Sequence, residues 1–268
     1  MNDSAQFLNV ATELAKQASQ EILALVKNPS IQRKKADNTL VTTADLRAND
    51  LIVNGLARHF PDHAILSEET GLSGNPSPEW TWIVDPLDGT KAYAKGIPGF
   101  CVMIGLLKEG LPYLGVVVDP LEGHVYQAIR GQGAFHSLHG KKQKLQVSQR
   151  NQFSEMPLIL SIDFPKEMLG KIRLELTGPL LAPINSVGIK VGLLVREKGD
   201  IYVNHHPSSY WDTCAPQVIC EEAGGIFTLW NGKELNYEMK APYCFSEASL
   251  ASNGILHSQI SEILTHLK

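Results

Sequence analysis

One stretch in the first half of the chain constrains the fold most. The apolar run of residues 80–84 stops abruptly at DPLDGT, residues 85–90. The run predicts a buried strand, which Pro86 ends because it holds the preceding residue extended. Gly89 lets a ligand approach the backbone, and residues 90–94 can open a helix with free N–H groups. Two carboxylates beside free amides suit a phosphate bound with Mg²⁺, which prefers oxygen ligands.

Length, charge and cysteine usage exclude several classes of protein. A chain of 268 residues, 43% hydrophobic and 19% charged, can form one large domain or two small ones. The net charge of −4 argues against a nucleic-acid polymer as partner. The chain has no apolar run of membrane-spanning length, no signal-peptide pattern and no zinc spacing among its four cysteines. We therefore expect a reduced, cytoplasmic protein.

The first half predicts an antiparallel sheet with helices on one face. Apolar residues recur at helical spacing over residues 3–27, and a second helix can run from Thr42 or Thr43 to about His59. Short strands separated by turn residues predict a meander. We expect a first module over residues 1–148, with the polar stretch 141–151 as its boundary. The predicted strands are 64–69, 80–85, 100–107, 113–119 and 124–130, and residues 71–78 are predicted to form a surface loop.

The second half alternates strands and helices. This pattern predicts a second α/β sheet in a module of residues 149–268. The residues 204–209 are predicted to form a polar loop, because adjacent histidines at 205 and 206 on an extended chain point apart and favour no metal site. The predicted strands are 157–162, 200–203, 225–229 and 249–255, and the predicted helices are 166–174, 187–196, 212–223 and 256–267.

Three further acidic positions allow two interpretations each. Asp45 lies in the first turn of a helix, where the dipole alone favours a carboxylate, although it is also a candidate catalytic group. Glu68 and Glu69 end a strand and point in different directions, so one of them can join a metal site while the other is solvated. Asp212 can begin a helix as its N-cap without any catalytic role. The residues alone leave these alternatives open.

Taken together, Glu68-Glu69, the DPLDGT element and Trp211-Asp212 resemble the signature of the inositol monophosphatase superfamily. The resemblance covers nearly the whole chain in the right order. It implies a magnesium-dependent, lithium-sensitive phosphomonoesterase, a possible homodimer that acts on a small phosphorylated substrate. It also implies an α/β fold of layered αβαβα type, with an antiparallel N-terminal sheet and a second, mixed sheet.

The resemblance also implies roles for individual residues. Two or three Mg²⁺ ions would be held by oxygens from both modules, with Asp85 bridging two of them. Asp45 and Thr90, together with Glu68, would orient and deprotonate the attacking water. The amides of Gly89 and Thr90 would hold the phosphate. The implied metal ligands are Glu68, Asp85, the carbonyl of Leu87, Asp88 and Asp212.

Within the superfamily, two details resemble the 3′(2′),5′-bisphosphate nucleotidases. These are Lys91 after the Gly-Thr pair, with Tyr93 beyond it, and the run WDTCAPQVI at 211–219. The Asp-x-Ser-Pro-Val-Thr element of that subfamily lacks its proline here, at residues 37–42. The function implied is removal of the 3′-phosphate from 3′-phosphoadenosine 5′-phosphate, giving AMP and phosphate. The alternatives are an inositol monophosphatase, a broader sugar-phosphate phosphatase, or a non-catalytic module that binds metal or phosphate.

Substrate contacts follow from the same resemblance. Lys190 resembles a lysine that contacts the nucleotide in the nucleotidases, and a helix-surface lysine is the equally good alternative. Ser186 and Gly188 would bring backbone close to the same ligand. The full set of implied substrate-binding residues is Gly89, Thr90, Lys91, Ser186, Gly188, Lys190 and Asp212.

Overall fold

The fold consists of five alternating layers of helices and sheets. A computed structural model describes residues 3–27, 29–34, 40–75 and 78–267. Residues 37–39, where the nucleotidase element was sought, and Asn28, where the first helix was expected to end, lie outside these ranges. The layers are two helices, an eight-stranded sheet, two helices, a four-stranded sheet and two helices. The predicted layered α/β fold is confirmed.

The first layer consists of α1 (Asp3–Leu25) and α2 (Thr43–His59). Both helices bury one apolar face against the large sheet, as the helical spacing of apolar residues in the sequence predicts. A two-stranded antiparallel sheet, β1 (Ile31–Lys34) with β2 (Leu40–Thr42), leads directly into α2. The side chain of Thr42 caps α2, which fixes where this helix starts.

The strands of the large sheet are β3 (Ala64–Ser67), β4 (Gly71–Gly74), β5 (Trp80–Asp88), β6 (Cys101–Lys108), β7 (Leu111–Val118), β8 (Val125–Ile129), β9 (Gly133–Leu138) and β10 (Lys141–Lys144). The sheet is mixed, because β3 pairs with β5 in parallel while its other pairs are antiparallel. The parallel pair arises because β4, expected to be a loop, pairs with β3 at the sheet edge before the chain returns to form β5. The polar stretch expected to be a boundary begins with the edge strand β10.

The central layer contains α5 (Val187–Val195) and α6 (Tyr210–Glu222), which lie between the two sheets. Helix α6 comes very close to β6 and β7 at the paired glycines Gly105 and Gly115. A Cβ atom on Gly115 would lie only 2.3 Å from the carbonyl oxygen of Ala215. Side chains at these two positions would therefore push α6 outward, and with it the acidic residue in its first turn.

The strands of the second sheet are β11 (Leu158–Ile159), β12 (Ile201–Ser209), β13 (Ile226–Leu229) and β14 (Cys244–Ser252). Their order in the sheet is β11-β12-β14-β13. The outer face of the sheet is covered by α4 (Lys166–Glu175) and α7 (His257–His266). Strand β12 includes the residues predicted to be a loop, and its pairing with β14 has two register irregularities after Val203.

Two simpler observations concern the thiols and the helices. Cys101, Cys214 and Cys220 are buried free thiols that pack as small residues in the core. Cys244 is an exposed free thiol. Within the described residues, no helix combines the length and the apolar character needed to cross a membrane.

Candidate active site

The candidate site is a cavity of about 190 Å³ at the tip of β5. Pro86 does not end the strand as predicted, because the pairing of β5 with β6 resumes at Asp88 after a register irregularity that follows Asp85. Gly89, with φ of +92°, then turns the chain into the short helix α3 (Thr90–Ala94). Groups from both halves of the chain form the wall. The lining residues are Glu68, Asp85, Leu87, Asp88, Gly89, Thr90, Lys91, Ser161, Asp163, Asn185, His206 and Asp212.

Five carboxylates line this cavity, and four of them, Glu68, Asp85, Asp88 and Asp212, are the acids implied as metal ligands. Oxygens of Asp85, Asp88 and Asp212 all lie within 4.8 Å of one another. Glu68 lines the same cavity because β3 runs parallel to β5, so that both strands end at one edge of the sheet. Glu68 and Asp212 lie far from Asp85 and Asp88 in the sequence. The parallel pairing of β3 with β5 and the close approach of α6 bring all four acids together.

The electrostatics of the cluster favour a divalent cation. Burial raises the pKa of Asp85 well above its usual range, and the neighbouring charges of Glu68 and Asp88 raise it further. Burial, followed by the charges of Asp88 and Glu68, raises the pKa of Asp212 to about 8. Like charges that close disfavour each other's ionised form, and a cation between them removes that penalty. A set of carboxylate oxygens with one nearby carbonyl fits Mg²⁺ in donor chemistry.

Asp45 and Thr90 form a hydrogen-bonded pair beside the cluster. The Thr90 hydroxyl lies 3.1 Å from Oδ1 of Asp45 and 3.0 Å from the carbonyl oxygen of Leu87, and can donate to either. Oδ2 of Asp45 accepts from the amide of Thr42 at 2.8 Å and from its hydroxyl at 2.5 Å. Asp45 therefore takes part in the cap of α2 and also contacts Thr90. Burial raises the pKa of Asp45.

Asp212 enters the site from the first turn of α6. The helix begins two residues earlier than predicted, and its N-cap is Ser209, not Asp212. The amide of Ser209 donates to Oδ2 of Asp212 at 2.8 Å, which completes a capping box. This contact fixes the carboxylate at the helix start while the same residue borders the cavity.

The predicted substrate contacts divide into two groups. Gly89, Thr90, Lys91 and Asp212 line the cavity, as expected for residues that meet a ligand. The other three predicted contacts lie behind the wall: Ser186 and Gly188 hydrogen-bond to Asp88, and Lys190 is only 1% exposed.

Lys190 is not a helix-surface lysine, so that alternative is wrong. Its ammonium donates to the hydroxyl of Ser161 at 2.6 Å and to the carbonyl of Asn185 at 3.1 Å. It also lies 5.2 Å from the centre of the Tyr202 ring. Burial lowers its pKa to about 8, against the opposing pull of nearby aspartates. The ammonium of Lys190 thus lies behind Ser161, which is part of the cavity wall.

Four lining residues were missed by the sequence analysis. Ser161, Asp163, Asn185 and His206 belong to loops or strand irregularities whose position depends on tertiary packing. Asp163 is paired with Lys91, whose ammonium is 3.7 Å from its carboxylate. Of these four residues, only His206 had a signal in the sequence, as a member of the histidine pair. It lies at a register irregularity of β12, where the side-chain amide of Asn204 donates to the carbonyl of His206 at 3.0 Å.

Comparisons with known proteins show what this chain is similar to. The model of the inositol monophosphatase family matches residues 3–265. The 3′(2′),5′-bisphosphate nucleotidase CysQ of Buchnera aphidicola is 30% identical over 93% of this chain and 94% of its own length. A histidinol-phosphatase of Chlorobaculum parvum is 35% identical over 85% of this chain and 87% of its own. The structure of an inositol monophosphatase from Anabaena superimposes with a TM-score of 0.81 and 28% identity, covering 100% of this chain and 98% of that one.

Proposed function

This chain is a phosphatase of the inositol monophosphatase family, and we propose that it removes the 3′-phosphate from 3′-phosphoadenosine 5′-phosphate, giving AMP and phosphate. Enzymes of this family depend on metal ions and act on small phosphorylated substrates. The observation that carries the proposal is the cavity lined by the acidic cluster, Thr90 and Lys91, with the buried Asp45 in hydrogen-bond contact with Thr90.

We assign the cluster to magnesium. Two or three Mg²⁺ ions would be held by Glu68, Asp85, Asp88 and Asp212, with the carbonyl of Leu87 as a further ligand. Bound Mg²⁺ supplies charge neutralisation and lowers the pKa of water at such a site. The protein's own task is then mainly to position groups, because phosphoryl transfer needs little covalent chemistry from side chains.

The Asp45–Thr90 pair is suited to guide the proton of the attacking water. The Thr90 hydroxyl donates to Asp45, so its oxygen lone pairs remain free to accept from a water molecule. Asp45 can then receive a proton through Thr90, and its raised pKa makes it a stronger base than an exposed aspartate. Glu68, which lines the same cavity, would help to orient this water.

The substrate preference rests on two lysines, one in the cavity wall and one buried behind it. Lys91 places a cation beside the helix that would hold the transferred phosphate, and Lys190 adds a second, buried charge behind Ser161. Two cations suit a substrate that carries a second phosphate. One observation favours the alternative of an inositol or sugar monophosphate: Asp163 already pairs with Lys91 and partly neutralises it.

A substrate panel tests the proposal. Phosphate release in Mg²⁺ is measured with 3′-phosphoadenosine 5′-phosphate, inositol 1-phosphate, histidinol phosphate and a sugar phosphate at equal concentrations. We expect the nucleotide to react fastest. Faster release from any of the three monophosphates would refute the nucleotide assignment. If none of the four compounds released phosphate, the result would favour a non-catalytic binding module. A homodimer, lithium sensitivity and a cytoplasmic location stay predictions.

A further inference from the structure

Asp88 differs from the other acids of the cluster because helix α5 of the second half of the chain holds one of its oxygens. The hydroxyl of Ser186 donates to Oδ2 of Asp88 at 2.7 Å, and the amide of Gly188 donates to the same atom at 3.0 Å. The thiol of Cys101 lies 3.7 Å from this oxygen. Each of these three contacts is made with Oδ2.

From this arrangement we propose that Ser186 is a positioning residue, which fixes the Asp88 carboxylate so that Oδ1 is presented to a divalent cation. The inference rests on the proposed function in one respect, that the acidic cluster binds Mg²⁺. It gives Ser186 a role different from the substrate contact expected from the sequence. A carboxylate oxygen accepts about two hydrogen bonds, so Oδ2 is saturated and Oδ1 is the oxygen left for a ligand.

Ser186 is itself held in place. Its side chain is fully buried, and it is the N-cap of α5, where its hydroxyl oxygen accepts from the amide of Ile189 at 3.1 Å. The sulfur of Cys101 lies 3.2 Å from the same hydroxyl oxygen. Because a carboxylate oxygen is a stronger acceptor than a thiol sulfur, the hydroxyl donates its hydrogen to Asp88 at 2.7 Å. The hydroxyl therefore joins the positive end of the helix to the carboxylate, which is the favourable direction for an anion.

The close approach of α5 depends on Gly188. A Cβ atom at this position would lie 2.5 Å from the sulfur of Cys101 and 2.9 Å from that of Met103, both on β6. A side chain there would lift the helix away from the sheet, and neither donor would then reach Asp88. The packing between α5 and the large sheet thus sets the orientation of a proposed metal ligand.

The experiment compares three substitutions of Ser186. Ser186→Gly removes the donor to Asp88 but keeps an acceptable N-cap, whereas Ser186→Ala removes both contacts and Ser186→Thr retains both. Mg²⁺ affinity is measured without substrate, by calorimetry and by the Mg²⁺-dependent rise in melting temperature. The matched control is Ser261→Ala, which deletes a buried hydroxyl that donates to the carbonyl of Trp230 at 2.6 Å, on α7 of the outer helical layer.

We expect Ser186→Gly and Ser186→Ala to weaken Mg²⁺ binding about tenfold, because loss of a residue that orients a ligand costs about 10–100-fold in metal affinity. Ser186→Thr should bind Mg²⁺ within about threefold of the unmodified protein, as should Ser261→Ala. Unchanged Mg²⁺ affinity in either folded variant that lacks the hydroxyl would overturn the inference and leave Ser186 as a helix cap only. Failure of the unmodified protein to bind Mg²⁺ would instead refute the metal assignment in the proposed function.

Discussion

Replacement of the buried Lys190 by methionine should stabilise the protein at neutral pH and remove a specific pH dependence. Lys190 is 1% exposed, and its ammonium donates to a hydroxyl and to a carbonyl, neither of which carries a compensating charge. Its pKa is lowered from 10.5 to about 8, chiefly by burial. At pH 7 the group is therefore charged, and its charge is less favourable in the folded protein than in the unfolded chain.

The sign and size follow from proton linkage. Between pH 8 and pH 10.5 the unfolded chain binds the Lys190 proton and the folded protein has lost it, so stability rises with pH in this window. For a folded pKa of about 8, the gain from this group between pH 7 and pH 10 is about 2.5 kcal/mol. Lys190→Met lacks the titrating group, so its stability cannot show this gain.

The assay is urea unfolding at pH 7, 8, 9 and 10, without Mg²⁺, for the unmodified protein and Lys190→Met. The difference in free energy of unfolding between the two should shift in favour of the unmodified protein by about 2.5 kcal/mol from pH 7 to pH 10. For an m-value of about 2 kcal/mol per molar urea, this corresponds to roughly 1 M urea in the midpoint. Groups whose pKa does not depend on Lys190 cancel in the difference.

Lys91→Met is the matched control. Its side chain is 60% exposed and its ion pair with Asp163 spans 3.7 Å at the surface, so its removal should change the stability by less than about 1 kcal/mol. A difference curve for Lys190→Met that stays flat between pH 7 and pH 10 would refute the reasoning. It would mean that the Lys190 charge is fully compensated in the folded state, and that its position beside the cavity imposes no cost on stability.

Three further predictions concern the site and the core. Asp85→Asn should abolish both phosphate release and Mg²⁺-induced stabilisation, because it removes a central charge of the cluster; persistent phosphate release would show that the metal assignment is wrong. Thr90→Val should lower kcat by about 10²–10⁴ with little change in Mg²⁺ affinity, since it removes the hydroxyl that links water to Asp45; a defect confined to KM would contradict this role. His257 is buried between Thr228 and Ser252, and burial lowers its pKa to about 4, so the stability that it contributes is lost as pH falls from 6.5 towards 4. Relative to His257→Gln, the unmodified protein should lose about 2 kcal/mol between pH 7.5 and pH 5 in urea unfolding, and parallel curves would exclude a neutral His257.

The local elements of the fold could be predicted because each has a local cause. The amphipathic spacing in α1, the cap at Thr42 and the apolar run of β5 lie within single segments of sequence. The strand β4 could not be predicted in this way. Its Gly-Leu-Ser-Gly sequence is typical of a loop, and it becomes a strand because β3 offers it an edge to pair with.

The sequence could identify candidate acids of the site, but it could not show how they are arranged in space. The DPLDGT element marks Asp85 and Asp88 by its own chemistry, whereas Asp45, Glu68 and Asp212 each have an adequate local explanation. Their convergence depends on tertiary contacts: the parallel pairing of β3 with β5, and the glycines that admit α6 to the sheet. The same holds for Asp163 and His206, whose place at the cavity follows from packing that no short motif encodes.

The local and the functional explanations of these acids turn out to be compatible, because the two oxygens of a carboxylate can serve different partners. Oδ2 of Asp45 accepts from Thr42 while Oδ1 faces Thr90. Oδ2 of Asp212 accepts from Ser209, and Oδ2 of Asp88 accepts from the start of α5. Each of these carboxylates thus has one oxygen fixed by donors at a helix N-terminus, where a negative charge is favoured. In each acid, the hydrogen bond that gives the residue a structural role at the helix start also fixes the position of its other oxygen. Helix caps and proposed ligands are therefore parts of one arrangement.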